Sequence, residues 1–210
     1  MRTFRTRTTR TVGLAGAVTA AALLLAACGG ADDDAMSGMD HGSSATASAS
    51  ASAAPSATAS GTFNDADVMF AQMMIPHHEQ ALEMAKLADG RAEDDGIKKI
   101  VAAVEKAQDP EIQKMKAWLK GWGKPESAGA GHAMAGMMSE QDMKKLAAAK
   151  GKDFDRTFAE LMIAHHEGAV EMAKDEEKNG ANAEAKALAA EVVRAQTAEI
   201  AELRKILDRL

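Results

Sequence analysis

A sixteen-residue segment occurs twice in this chain, as FAQMMIPHHEQALEMA at Phe70–Ala85 and as FAELMIAHHEGAVEMA at Phe158–Ala173, offset by 88 positions. A chain that carries one unit twice is constrained to fold as two copies of that unit. Within the first copy Asp67, Phe70, Met74, His77, Ala81 and Met84 are spaced 3, 4, 3, 4, 3, a narrow stripe along one helix face. Asp155, Phe158, Met162, His165, Ala169 and Met172 repeat that stripe in the second.

Each stripe needs a partner, and the sequence supplies one. After Asp89-Gly90-Arg91, a second helical pattern presents Ile97, Val101, Val104, Gln108, Ile112, Met115 and Leu119. After Asn179-Gly180, Leu188, Val192, Gln196, Ile200, Leu203 and Leu207 do the same, and the offset of 88 relates Val104 to Val192, Gln108 to Gln196 and Ile112 to Ile200. Each repeat therefore reads as a helical hairpin, and two hairpins bury their stripes against one another as an all-α four-helix bundle. Asn64 or Asp65 is expected to cap the first helix and Asp153 the third long one, with Ser139 capping a short extra helix through Lys150 in the central linker. The expected organisation is a leader at 1–27, a tether at 28–61 and the bundle at 62–210, divided into repeat one at 63–122, linker at 123–150 and repeat two at 151–210. Closing the hairpins at their turns places Gln108 and Gln196 at the level of the histidines. Pro76 and Pro110 fall at that level in repeat one alone, and a proline inside a helix removes a hydrogen bond and commonly kinks it.

The first 27 residues carry Arg2, Arg5, Arg7 and Arg10 ahead of a short apolar stretch, then Leu25-Ala26-Ala27-Cys28. That pattern reads as a secretory leader ending in a lipoprotein cleavage signal, with Cys28 the expected site of lipid attachment. Cys28 is the one cysteine, so a lipidated chain has neither a disulfide nor a thiolate ligand. Losing four arginines and no acid takes the formal charge from -6 to -10. An acidic chain outside the cytoplasm is a poor partner for nucleic acid and a natural one for cations. Residues 29–61 are rich in Ala, Ser and Thr with almost no large apolar side chains, the composition of a disordered tether. Met36, Met39 and His41 interrupt it as a weak metal-capture patch.

The chemistry that the repeated segments carry is imidazole beside thioether. Adjacent helical residues point about 100° apart, so His77 and His78 do not readily chelate one ion together. Met74 lies three residues before His77 and four before His78, on a shared helix surface, and Met162 stands in the same relation to His165 and His166. Methionine at helical spacing is ordinarily core filler, the simplest reading for Met84 and Met172. Two buried histidine pairs are harder to explain by packing, because buried imidazoles need partners. Thioether with imidazole selects Cu(I), whereas zinc and iron prefer harder or anionic donors. The linker repeats the donor set in His132, Met134, Met137, Met138 and Met143. Gln108 and Gln196, with Asp67 and Asp155, are candidates for orienting the ligands from outside. Di-iron carboxylate chemistry would need Glu-x-x-His on two helices, which the sequence lacks.

The twice-repeated Met-Ile-x-His-His-x-x-Ala-x-x-Met-Ala, together with Gly136-Met137-Met138-Ser139 and Lys150-Gly-Lys-Asp-Phe154-Asp155, resembles the DUF305 family over residues 63–210. The resemblance implies a ferritin-like four-helix bundle and, as in some members, extracytoplasmic copper binding and copper tolerance. It implies His77, His78, His165, His166, Met74, Met84, Met162, Met172, Met137 and Met138 as ligands. Ala135 stands before Gly136 where proline is more usual. The leading expectation is a non-enzymatic, lipid-anchored protein that sequesters or hands over Cu(I), with a copper-protein partner and a homodimer both open. The competing one is a metal-free envelope interaction module whose histidines form a structural network.

Overall fold

The computed structural model describes residues 61–129 and 134–210, and the leader, Cys28, Met36, Met39, His41 and His132 lie outside them. Five helices follow in order, α1 Asp65–Lys86, α2 Asp95–Gly121, α3 Glu140–Ala148, α4 Gly151–Asn179 and α5 Ala183–Leu207, with no strand among the described residues. The pairs α1–α2 and α4–α5 are the two expected hairpins, and together they make the four-helix bundle with α3 as the extra helix of the linker.

The caps account for where the helices begin. Asn64 Oδ1 accepts from the Ala66 and Asp67 amides at 2.9 and 3.2 Å, and Asp67 accepts from the Asn64 amide at 2.6 Å, a reciprocal capping box. Asp94 starts α2 and Asn182 starts α5, at positions 88 apart, each side chain accepting from the two amides two and three residues on. Ser139 caps α3 as its sequence predicts, but that helix stops at Ala148. Asp153 does not cap α4. The helix opens at Gly151, whose positive φ of 58° turns the chain straight out of α3, and whose amide donates to the Arg91 carbonyl at 2.8 Å. Asp153 instead lies in the first turn, where a negative charge still meets the positive end of the helix dipole. Both α1 and α2 run unbroken through Pro76 and Pro110.

The stripes are buried as read, except that Val101, Met172 and Leu207 are only half-buried. They form two apolar clusters rather than one. In the first, Phe70 and Met74 of α1 meet Ile112 and Met115 of α2, Ala169 and Ala173 of α4, and Leu188 and Val192 of α5. In the second, Phe158 and Met162 of α4 meet Leu203 of α5, Ala81 and Met84 of α1, and Ile97 and Val104 of α2. The early part of α1 thus packs on the late part of α4 and the reverse, so the two helices run antiparallel about an approximate two-fold axis. Each fully buried Phe or Met side chain contributes about 1.5–3 kcal/mol of transfer free energy. Between the two clusters lies the histidine level. No helix among the described residues is long and apolar enough to cross a membrane.

Candidate metal centre

Where α1 and α4 cross, His77 and His165 face each other with ring centroids 3.7 Å apart and planes inclined by 38°. This pair sits on the approximate two-fold axis. His78 and His166 flank it, and all four imidazoles are at most 1 % exposed. The apolar stripe accounts for this burial, since His77 and His165 replace the hydrophobic residue that the spacing calls for.

The partners of these rings are few. His77 Nε2 donates to the Ala135 carbonyl at 3.3 Å, and His78 Nε2 donates to Glu111 Oε2 at 2.8 Å. His166 Nε2 lies at the same 2.8 Å from Glu199 Oε2, with the ring off the line of an ideal hydrogen bond. Among the described residues no hydrogen-bond partner reaches Nδ1 of any of the four histidines, Nε2 of His165, or Oε1 of Gln108 and Gln196, all of them buried. Buried polar atoms are ordinarily paired, because an orphan costs about 1–3 kcal/mol. Such a concentration of lone pairs at one level fits the donor set of a metal site. Burial, with His78 and His166 close by, holds the His77 ring down to about 3, and burial with the other three imidazoles depresses His165 further. Both rings are therefore neutral in ordinary conditions, with lone pairs free to coordinate.

Gln108 and Gln196 are buried three residues before Glu111 and Glu199, the glutamates that approach His78 and His166. Met74, Met84 and Met162 are fully buried in the clusters that bracket the histidine level, and Met172 packs at the margin of the first. Asp67 and Asp155 sit away from the rings, one at each end of the bundle. Asp67 accepts from the amides of Ala181 and Asn182, and Asp155 from those of Glu93 and Asp94. Each aspartate on a first helix thus ties down the turn of the opposite hairpin. Burial alone would raise the Asp67 carboxyl, but the Asn182, Asn64 and Ala181 amides hold it below the usual range.

The linker closes over one side of the histidines. Besides the Ala135 carbonyl on His77, the Gln80 side chain clamps the Met138 backbone, donating to its carbonyl at 3.0 Å and accepting from its amide at 2.7 Å. Gly136, at φ 79°, lies against Gly168, where a Cβ would overlap the Ala135 carbonyl. Met134, Met137 and Met138 are all partly buried along this strap.

Glu111 and Glu199 escaped the sequence reading although a signal was present. They end the twice-repeated Gln-x-x-Glu of 108–111 and 196–199, a spacing of three that shares a helix face. The carbonyl of Ala135 left no signal at all. Among the described residues no three His, Cys, Asp or Glu side chains converge to hold a metal ion. A hard, all-nitrogen-and-oxygen chelate is thus not preformed here, whereas thioethers border the rings on both sides. The donor set fits a soft ion.

The model of DUF305, a domain of unknown function, matches residues 67–207. Among solved structures, a candidate secreted DUF305 protein from Streptomyces coelicolor is 31 % identical with a TM-score of 0.65, over 69 % of this chain and 93 % of its own. A DUF305 fragment from Deinococcus radiodurans is 30 % identical with a TM-score of 0.64, over 71 % and 100 %. CopM in its Cu(I)-bound form is 33 % identical with a TM-score of 0.61, over 68 % and 96 %, and CopM structures with Cu(II) and with Ag are similar too. No functionally curated protein matches the chain.

Proposed function

The chain belongs to the DUF305 family, and we propose that it binds copper as Cu(I) outside the cytoplasm, without catalysis, to sequester the ion or hand it on. One observation carries this reading: the buried His77 and His165 imidazoles meet at the bundle's two-fold axis with His78 and His166 flanking them, and the Nδ1 atoms of all four have no partner among the described residues, between methionine-lined apolar clusters. His77 and His165 are the central donors, with His78 and His166 beside them. Met74 and Met162, then Met84 and Met172, offer thioethers from the helices, and Met137 and Met138 from the strap. Neutral imidazole and thioether have no charge to neutralise a divalent ion, and together they suit a soft monovalent one. CopM, at 33 % identity, has been crystallised with Cu(I) bound.

The metal-free alternative is supported less well, because a purely structural network would satisfy its own polar atoms. The leader supports an extracytoplasmic place for the protein, and lipid on Cys28 would hold it at the membrane. Each buried methylene of such an anchor contributes about 0.8 kcal/mol.

The test is a competitive Cu(I) titration of the leaderless chain with Zn(II) in parallel, against a variant with His77, His78, His165 and His166 all changed to Ala. Tight Cu(I) binding that collapses in the variant, with weak Zn(II) binding, is the expected result. Binding that survives would move the site to Met134, Met137 and Met138. No binding by either form would leave the histidines as a structural network.

A further inference from the structure

We propose that Glu111 and Glu199 are positioning residues, each holding the Nε2 hydrogen of its histidine so that His78 and His166 offer a bare Nδ1 to the metal. This inference rests on the copper reading above. Its starting point is geometric. One carboxylate oxygen from the second helix of each hairpin stands 2.8 Å from the Nε2 of the histidine on the first. The two glutamates are 88 positions apart, as are the two histidines, so the close approach recurs, with hydrogen-bond geometry met at His78 and the ring turned off the line at His166. A carboxylate only accepts, so a close Nε2 contact requires the hydrogen to be on Nε2. A neutral imidazole then has its other nitrogen bare, and among the described residues no acceptor lies within reach of either Nδ1 that could stabilise a hydrogen there.

The burial pattern separates this role from that of a surface ion pair. Both histidine side chains are fully buried, while Glu111 and Glu199 are 22 % and 18 % exposed. The carboxylates thus reach inward from the rim of the bundle to rings that have no other fixed partner. His77 follows the same logic through a different acceptor, its Nε2 being held by the Ala135 carbonyl and its Nδ1 left bare. Three of the four rings therefore turn the same nitrogen away from the protein's own acceptors. A metal-bound histidine whose far nitrogen is held by a carboxylate is fixed in orientation and made a better donor, and losing that carboxylate typically weakens metal binding 10–100-fold.

The experiment uses the chain from Cys28 to Leu210 with its histidines labelled with 15N. Ring-nitrogen NMR of the metal-free protein reads which nitrogen carries the hydrogen, and a Cu(I) competition assay reads affinity. In the wild type, His78 and His166 should show hydrogen on Nε2. E111A and E199A should each lose that signature at their own histidine and bind Cu(I) roughly ten-fold or more weakly. E111Q and E199Q keep an acceptor oxygen at the same reach, so they should retain the signature and bind within a few-fold of wild type. These conservative variants also stand in should an alanine variant fail to fold. Wild-type rings with hydrogen on Nδ1, or alanine variants that leave signature and affinity unmoved, would overturn the assignment. A wild type that shows the Nε2 signature yet binds no Cu(I) would overturn the copper reading, and with it the metal half of this inference.

Discussion

The two ends of the bundle share one aspartate frame and differ in what stands beside it. At one end Asp67 ties down the amides of Ala181 and Asn182; at the other Asp155 ties down those of Glu93 and Asp94, positions related by the same offset of 88. The next neighbour breaks the symmetry. Glu176 is buried against Asp67, whereas its counterpart beside Asp155 is Ala88. The middle of the bundle shows the same division, with the histidines and their glutamates duplicated while Gln80 is matched by Gly168. The single linker strap explains that mismatch. One strap cannot obey a two-fold axis, so where it docks the copies must diverge: Gln80 grips its backbone and Gly168 makes room for it. Duplicated positions hold the frame, and unmatched positions give it a direction.

The frame is where the largest effects are expected. Asp67→Ala strands amides of Asn64, Ala181 and Asn182, and Asp155→Ala strands those of Glu93 and Asp94. Leaving buried donors without acceptors costs about 1–3 kcal/mol each before relaxation, so each variant should lose about 3 kcal/mol. Thermal melts should fall by roughly 10 °C in both, on a scale of about 2–4 °C per kcal/mol for a chain of this size. A variant of either aspartate that melts within 2 °C of wild type would show that the two ends are not one frame.

The strap comes next. A Cβ at Gly168 meets the Ala135 carbonyl, so Gly168→Ala should lift the strap while the bundle stays folded, at a cost of about 1–3 kcal/mol. Gln80→Ala removes both bonds to Met138 and should cost about 1–2 kcal/mol. Hydrogen exchange provides the readout, since the Met138 amide should lose protection in both variants while helix interiors keep theirs. Unchanged Met138 protection in Gly168→Ala would mean that the strap is not seated on the glycine.

How much of this was legible depends on the kind of signal each part leaves. Helix period and the offset of 88 were enough to place both hairpins, the bundle and the buried stripes, because backbone periodicity and burial act on every residue. The level of Gln108 and Gln196 followed from counting back from the turns. What stayed hidden depends on contacts between elements far apart in sequence. Ala135 matters through its carbonyl, which its side chain does not announce. The roles of Asp67 and Asp155 follow from the antiparallel crossing of α1 and α4, which brings each aspartate to the other hairpin's turn. Asp153 has the composition of a cap, but the left-handed Gly151 starts the helix two residues earlier. The Glu111 and Glu199 signal was overlooked because a glutamate at the edge of a stripe ordinarily faces water.

The smallest effect at neutral pH separates the two ends by titration. Burial, with the charge of the neighbouring Asp67 carboxyl, pushes the Glu176 carboxyl up to about 8 from an ordinary 4.5. A carboxyl with a raised folded value contributes stability that is complete below about pH 4.5 and is lost as pH climbs to about 8. His77 and His165 act oppositely: with folded values below the ordinary 6.5, they contribute stability present above about pH 6.5 and lost as pH falls. Between about pH 6.5 and 8 their contribution is flat while that of Glu176 tilts the curve, by at most about 1.4 kcal/mol per pH unit. Glu176→Gln mimics the protonated acid, so it should melt closest to wild type near pH 4.5 and stay level between about pH 6.5 and 8 while wild type declines. Parallel declines in the two proteins would mean that Glu176 does not set the alkaline limb, and that the carboxyl pair at the Asp67 end is energetically no different from the Asp155–Ala88 end.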